Sequence, residues 1–241
     1  MIPKYDMDKI KFATDSPTFQ KAVDLYERGC VTEFKNQLDG YFAVVIGSSP
    51  YRVSVSSLSF DIASCTCYLG VNDTLCKHMV SVAIYAAKNG KILTDEDKIQ
   101  KNQLIFSGRA GNLAKTELSS FKKEVTGALR YIKPYLGPSR IWFSYQNSLE
   151  EGCNRLSALL SELPAGKQTA QLMVNLLLRL DKKLSSGGVD DSNGTVGGFI
   201  EEVVKMLLEF AKIDPECKSE LEKLKGIETS FGWEEPLLEI F

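Results

Sequence analysis

The sequence predicts an α+β protein: a small antiparallel β-sheet with helices over residues 1–93, followed by an all-α helical bundle over residues 94–241. Two observations predict it. Over residues 31–64 apolar and polar side chains alternate with a period of two, the pattern of strands buried on one face. Downstream, apolar residues recur at three- and four-residue spacing between clusters of Gly, Pro and Ser, the pattern of helices joined by short loops. With 241 residues, the chain is long enough for two domains that each bury a core.

The elements follow in order. Ser16-Pro17, then Phe19, Ala22, Val23 and Tyr26, closed by Gly29, reads as an amphipathic helix. Ser16 is its cap, Pro17 its first helical position, and one face is expected to pack on a sheet. Residues 31–38, an Asp39-Gly40 turn and residues 41–46 read as a hairpin, which Gly47-Ser48-Ser49-Pro50 ends. Tyr51, Val53 and Val55 alternate with polar residues, as do Leu58, Phe60 and Ile62, which predicts two more strands. Residues 79–88 form an apolar helix that stops at Asn89-Gly90. Further helices are expected near 94–104, 116–133, 145–163, 167–184, 196–213 and 215–226, with Thr94 and Asp214 as caps and Pro215 at a first helical position. No repeat of fixed period is evident, which favours a bundle over a solenoid. The glycine-rich residues 185–198, with Asp190-Asp191, read as a loop.

Between the predicted sheet and the 79–88 helix stands Cys65-Thr66-Cys67, then eight residues, then Cys76-Lys77-His78; His78 is the only histidine of the chain. Short chelating pairs of Cys and His are what structural zinc sites use. Residues two apart at a strand end face the same side, so Cys65 and Cys67 can share one ion while Thr66 points away. A spacing of two inside a helix places side chains on opposite sides. Cys76 and His78 are therefore expected at a helix entry, with Asn72-Asp73-Thr74 supplying caps. Three thiolates on Zn²⁺ leave a site charge of about −1, which helix N-terminal amides and Lys77 offset. Four protein ligands leave no position for water or substrate, so the zinc is expected to be structural. An iron–sulfur cluster could use the same donors, although zinc is the commoner occupant. A redox pair would be expected as Cys-x-x-Cys at a helix N-terminus, and buried unliganded thiols are the remaining alternative.

Two strands, Cys-x-Cys, a variable loop and Cys76-Lys77-His78 leading into Met79-Val80-Ser81-Val82-Ala83 resemble the SWIM zinc finger. The resemblance includes the strand Tyr51-Arg52-Val53-Ser54-Val55 and covers roughly residues 25–90, with all four ligand positions matching. It implies a ββα finger that binds DNA or protein partners, as in helicases, transposases and recombination mediators.

Composition excludes other classes. Hydrophobic residues make up 44% and charged residues 25%, ordinary for soluble globular proteins. The longest apolar runs fall short of the roughly 20 residues that span a bilayer, and the N-terminus lacks the pattern of a secretion signal. A cytoplasmic location, or a nuclear one in a eukaryote, is expected, with thiols kept reduced. Cys30, Cys153 and Cys217 are isolated and read as core or incidental thiols. With its histidine committed to metal, the chain has none for a Ser-His-Asp or Cys-His arrangement, Gly108-Arg109-Ala110-Gly111 lacks a phosphate-loop ending, and no enzyme is expected. Asp190-Asp191 and Glu201-Glu202 read as solvated faces.

Charge is polarised. Residues 98–140 carry Lys98, Lys101, Arg109, Lys115, Lys122, Lys123, Arg130, Lys133 and Arg140 against Glu117 and Glu124, and residues 186–241 are acidic. Aromatics interleave with the basic residues, a mixture suited to gripping phosphates and stacking bases. The helical spacing of Phe121, Ala128 and Tyr131, with Lys122 and Lys123 opposite, instead favours a solvated basic face over an aromatic core. The expected function is a zinc-binding, non-enzymatic adaptor contacting nucleic acid through the finger and Lys115, Lys122, Arg130 and Lys133, or contacting a helicase, recombination or transposition-type partner. The alternative is a protein–protein interaction module without nucleic-acid binding.

Overall fold

A computed structural model describes residues 2–100, 103–138 and 142–241. The chain divides after Gln100 into two compact units, each with its own hydrophobic core.

The first unit contains α1 (Met7–Phe12), α2 (Ser16–Glu27), β1 (Val31–Gln37), β2 (Gly40–Ile46), β3 (Pro50–Ser56), β4 (Ala63–Cys65), α3 (Tyr68–Val71), α4 (Lys77–Lys88) and α5 (Asp95–Lys98). The four strands form one antiparallel sheet in sequence order. Helix α4 covers the sheet, and α2 packs on α4, so α2 does not lie on the sheet as its amphipathic pattern suggests. This middle position buries α4 from His78 to Ile84 and accounts for its nearly continuous apolar sequence. Asn89 ends α4 in the left-handed conformation at φ 52°.

Several local expectations are corrected. The cap of α2 is Asp15, whose carboxylate accepts the Thr18 amide at 2.9 Å, and Ser16 is already helical. Gln37 pairs with Gly40, so the hairpin loop is Leu38-Asp39. Residues 58–62 form no strand. The Leu58 amide donates to Ser56 Oγ at 3.1 Å, Ser59 bonds the Asp61 carboxylate, and the Ser56 amide closes the loop on the Ile62 carbonyl at 2.9 Å. Such side-chain bonds give the backbone an alternative to the ladder. Only Phe60 of the alternating trio is buried. The expected 94–104 helix shortens to α5, because Ile99 turns extended and the Gln100 amide donates back to the Lys11 and Thr14 carbonyls, each at 2.5 Å. Helix α5 thereby belongs to the first unit.

The second unit contains α6 (Lys115–Ala128), α7 (Trp142–Ser161), α8 (Lys167–Ser185), α9 (Thr195–Ile213), a 3₁₀ turn (Pro215–Cys217), α10 (Lys218–Leu221), a further 3₁₀ turn (Glu222–Leu224) and α11 (Glu235–Leu238). The expected 116–133 helix stops at Ala128, and the expected 215–226 helix is divided among three short turns. Leu149, Leu156 and Leu160 of α7, Met173, Leu177 and Leu180 of α8, and Ile200, Val203, Leu207 and Phe210 of α9 are fully buried. Their spacing places each set on one helix face, and each such side chain contributes about 1.5–3 kcal/mol by leaving water. Among the described residues no helix is long and apolar enough to cross a membrane.

The Asp190-Asp191 pair is not simply solvated. Asp191 accepts the Val196 and Gly197 amides, each at 2.8 Å, at the start of α9. Asp190 accepts the Trp142 indole N–H at 3.0 Å and the Ser192 amide at 3.1 Å. Asp191 thus satisfies two orphan donors and sits at the positive end of the helix. Asp191→Ala should cost about 1 kcal/mol and lower the melting temperature of the helical unit by about 2–4 °C in a thermal scan.

Candidate metal centre

Cys65 is the last residue of β4, Cys67 precedes α3, Cys76 is the N-cap of α4, and His78 lies in the first turn of α4. All four are buried, and their ligand atoms lie within 4.8 Å of one another. The sulfurs of Cys65 and Cys76 are each 3.8 Å from His78 Nδ1. Tetrahedral zinc with bonds of about 2.3 Å to sulfur has ligand–ligand edges of about 3.8 Å. The cluster therefore fits a tetrahedral ion after a contraction of about 1 Å at its widest edge. Thr66 points away as expected, its hydroxyl accepting the Arg52 amide at 3.1 Å. Asn72–Thr74 do not cap α4; Asn72 instead closes α3.

Backbone amides aim at the sulfurs. The Cys67 amide donates to Cys65 Sγ and the Gly70 amide to Cys67 Sγ, each at 3.4 Å. A hydrogen bond from Cys65, with further bonds from His78 and the Met79 amide, overcomes burial and holds the Cys76 thiol well below the usual thiol range. Cys65, the proton donor to Cys76 and itself buried, is pushed up. The donors around Cys76 favour its thiolate, the form that binds metal, and the α4 N-terminus supplies positive potential for an anionic site.

His78 is oriented by its surroundings. Tyr51 stacks on the imidazole at 4.4 Å between centroids and 26° between planes. Ser81 Oγ bonds the His78 carbonyl at 2.9 Å. Nε2 is buried without a partner among the described residues and abuts Gly47, where an added Cβ would lie 3.1 Å from it. Nδ1 is thus the ring nitrogen that faces the sulfurs. On the other side, α3 folds back so closely that a Cβ on Gly70 would stand 2.6 Å from the Cys65 Cβ and 2.8 Å from its carbonyl carbon. The ligand spacing gave no signal for Gly47 or Gly70, since neither has a side chain that could hold a metal; what they supply is space beside His78 and Cys65 and, from Gly70, a backbone amide to Cys67 Sγ.

The remaining cysteines stand apart from the cluster: Cys30 is half-buried, and Cys153 and Cys217 are buried in the helical unit. Burial raises both of those thiols, Cys217 to about 11. Lys115 and Lys122 on α6, and Arg130 and Lys133 in the turn after it, are all exposed, and none has an ion-pair partner among the described residues. Two members of the basic segment are engaged elsewhere. Lys98 pairs with Glu27 in the first unit at 2.5 Å, and Arg109 donates to the Glu162 carbonyl at 2.8 Å. Lys101 and Arg140 lie outside the described residues. Of the aromatics in this segment, Phe106, Phe121 and Tyr135 pack on the helical core, Tyr145 is within it, and Arg155 lies 4.8 Å over the half-buried Tyr131 ring; the Phe143 side chain lies outside those described.

In comparison with known proteins, the chain matches no family model, no curated protein and no solved structure.

Proposed function

We propose that the protein is a non-enzymatic adaptor, stabilised by one structural Zn²⁺ in a SWIM-like finger, that contacts nucleic acid through the exposed cations of the α6 region. The observation that carries this reading is the set of exposed cations Lys115 and Lys122 on α6 and Arg130 and Lys133 just after it, none with an ion-pair partner among the described residues, beside the buried Val125 and Ala128 that seat the helix on its core. A buried quartet of protein donors supports a structural role for the metal, because a filled tetrahedral shell has no place for substrate. With Phe106, Phe121, Tyr135 and Tyr145 engaged in the core, contact with the phosphate backbone is the mode of binding that the exposed cations support. DNA and RNA are both admissible ligands for such a face, and a helicase, recombination or transposition-type protein is a partner of the kind the SWIM resemblance implies.

Phosphate contacts release counterions, so affinity should fall steeply with salt. Titration of a labelled DNA or RNA strand at several salt concentrations should show each Lys or Arg changed to Ala lowering the slope by a little under about one unit. The loss should be alike for all sequences. Absence of binding at low salt would remove the nucleic-acid reading.

The second reading is a protein-docking module with structural zinc and no nucleic-acid contact. It is favoured by the apolar surface beside the ligand Cys67, where Tyr68 is 83% and Val71 72% exposed. Docking of that kind would be insensitive to the α6 cations.

A further inference from the structure

The second unit carries a groove of about 720 Å³ along the outer face of α9. Leu208, Pro236 and Ile240 contribute to its apolar lining, and Lys205, Lys212 and Lys218 border it. Lys205, Leu208 and Lys212 recur at three- and four-residue spacing on one side of α9, about 10 Å or two helical turns long. Pro215 and Lys218 close one end, and α11 with Pro236, Glu239 and Ile240 forms the facing wall.

The charges are unequal. Lys212 is paired with Glu209 at 2.6 Å. Lys205 and Lys218 have no ion-pair partner among the described residues, and Glu239 on the facing wall is the remaining acidic group of the lining. Lys205 on α9 and Lys218 on α10 are therefore the two unpaired cations that flank the apolar strip, against Glu239 on the facing wall.

We propose that this groove docks an acidic, apolar peptide segment of a partner protein, with its carboxylates toward Lys205 and Lys218 and its apolar face on Leu208 and Ile240. Charge complementarity selects the acidic side chains, and an apolar strip between α9 and the single turn of α11 with the residues after it can receive one face of a short amphipathic segment. A small molecule suits the place less well. Such ligands are mostly enclosed by their pockets, whereas Pro215 and Pro236 at the margins are exposed and the groove is open along its length. The proposal is independent of nucleic-acid binding, since Lys205 and Lys218 are not among the α6 cations.

A displayed library of random peptides of about twelve residues, selected on the full zinc-loaded chain, tests it. Selected peptides should combine Asp or Glu with Leu, Ile or Phe at helical spacing. Their affinity should fall at least tenfold in Lys205→Glu/Lys218→Glu, because each exposed ion pair contributes up to about fivefold and reversal adds repulsion. Leu208→Glu should lose binding too, whereas Lys115→Glu/Lys122→Glu should bind the peptides as the unaltered protein does. Circular dichroism and a thermal scan of each variant confirm that the fold is intact. Selection that yields no acidic and apolar peptides, or peptides that bind Lys205→Glu/Lys218→Glu undiminished, overturns the proposal. Titration of the same variants with DNA separates the two readings: loss of peptide binding with the salt slope unchanged assigns the groove to protein and leaves the α6 face to nucleic acid.

Discussion

One zinc ion per chain should be found by elemental analysis of protein purified without chelator, and its removal should unfold the first unit while the second keeps its helices. Zinc binding in comparable small fingers is worth about 10–16 kcal/mol at neutral pH, whereas an entire domain is stable by about 5–15 kcal/mol. Cys65 and Cys67 lead out of the sheet and Cys76 and His78 begin α4, so the ion ties α4 to the sheet it covers. Without it, three buried thiol groups and an imidazole face one another where the start of α4 meets the end of the sheet. The second unit holds no part of this quartet, and its helices of 14 to 20 residues surround their own core. Chelation should therefore remove a minor part of the helical circular dichroism and leave the major part. Cys67→Ser or Cys76→Ser should lose the ion, and Cys30→Ser, Cys153→Ser or Cys217→Ser should keep it. Iron in place of zinc would identify a different centre, and complete loss of helix on chelation would show that the second unit depends on the first.

Gly70→Ala should be as damaging to the centre as many ligand changes, although the residue donates no atom to the metal. The added Cβ would meet the Cys65 backbone, which cannot rotate out of the way as a flexible side chain can. Accommodating it means pushing α3 outward, which draws Cys67 from the cluster and breaks the amide bond from Gly70 to Cys67 Sγ. Overpacking of this kind costs about 1–3 kcal/mol. Competition with a chromophoric chelator should show zinc affinity at least tenfold weaker, a loss of about 1.4 kcal/mol or more. An unchanged affinity would mean that α3 moves freely without disturbing Cys67.

The buried cluster that could hold a metal was legible in the sequence because its pairs are local: Cys65 ends β4 with Cys67 two residues on in extended backbone, and the entry of α4 places Cys76 and His78. The end of α4 was equally plain, since Asn89-Gly90 leaves few alternatives. What escaped were features set by contacts distant in sequence or by a side chain competing with the backbone. Leu58, Phe60 and Ile62 alternate as a strand does, yet serine and aspartate bonds curl that segment into a loop. The helix expected over 94–104 was ended by Gln100 reaching the Lys11 and Thr14 carbonyls. Asp15 displaced Ser16 as a cap because a carboxylate one residue earlier reaches the Thr18 amide. Asp191 was read as solvated since nothing in the sequence placed it over the start of α9.

Strand β1 is one of the two outer strands of the sheet and the longer of them, and its register slips between Thr32 and Lys35, where Glu33 takes φ 50°. An outer strand offers unpaired amides and carbonyls to any other chain, the first step toward fibrous aggregation. The bulge interrupts that row and increases its twist, and the exposed charges of Glu33 and Lys35 stand where an incoming strand would have to lie flat. At high concentration, folded copies of this chain that meet along β1 therefore find an edge that rejects continuous pairing, a protection built into the same hairpin that opens the sheet.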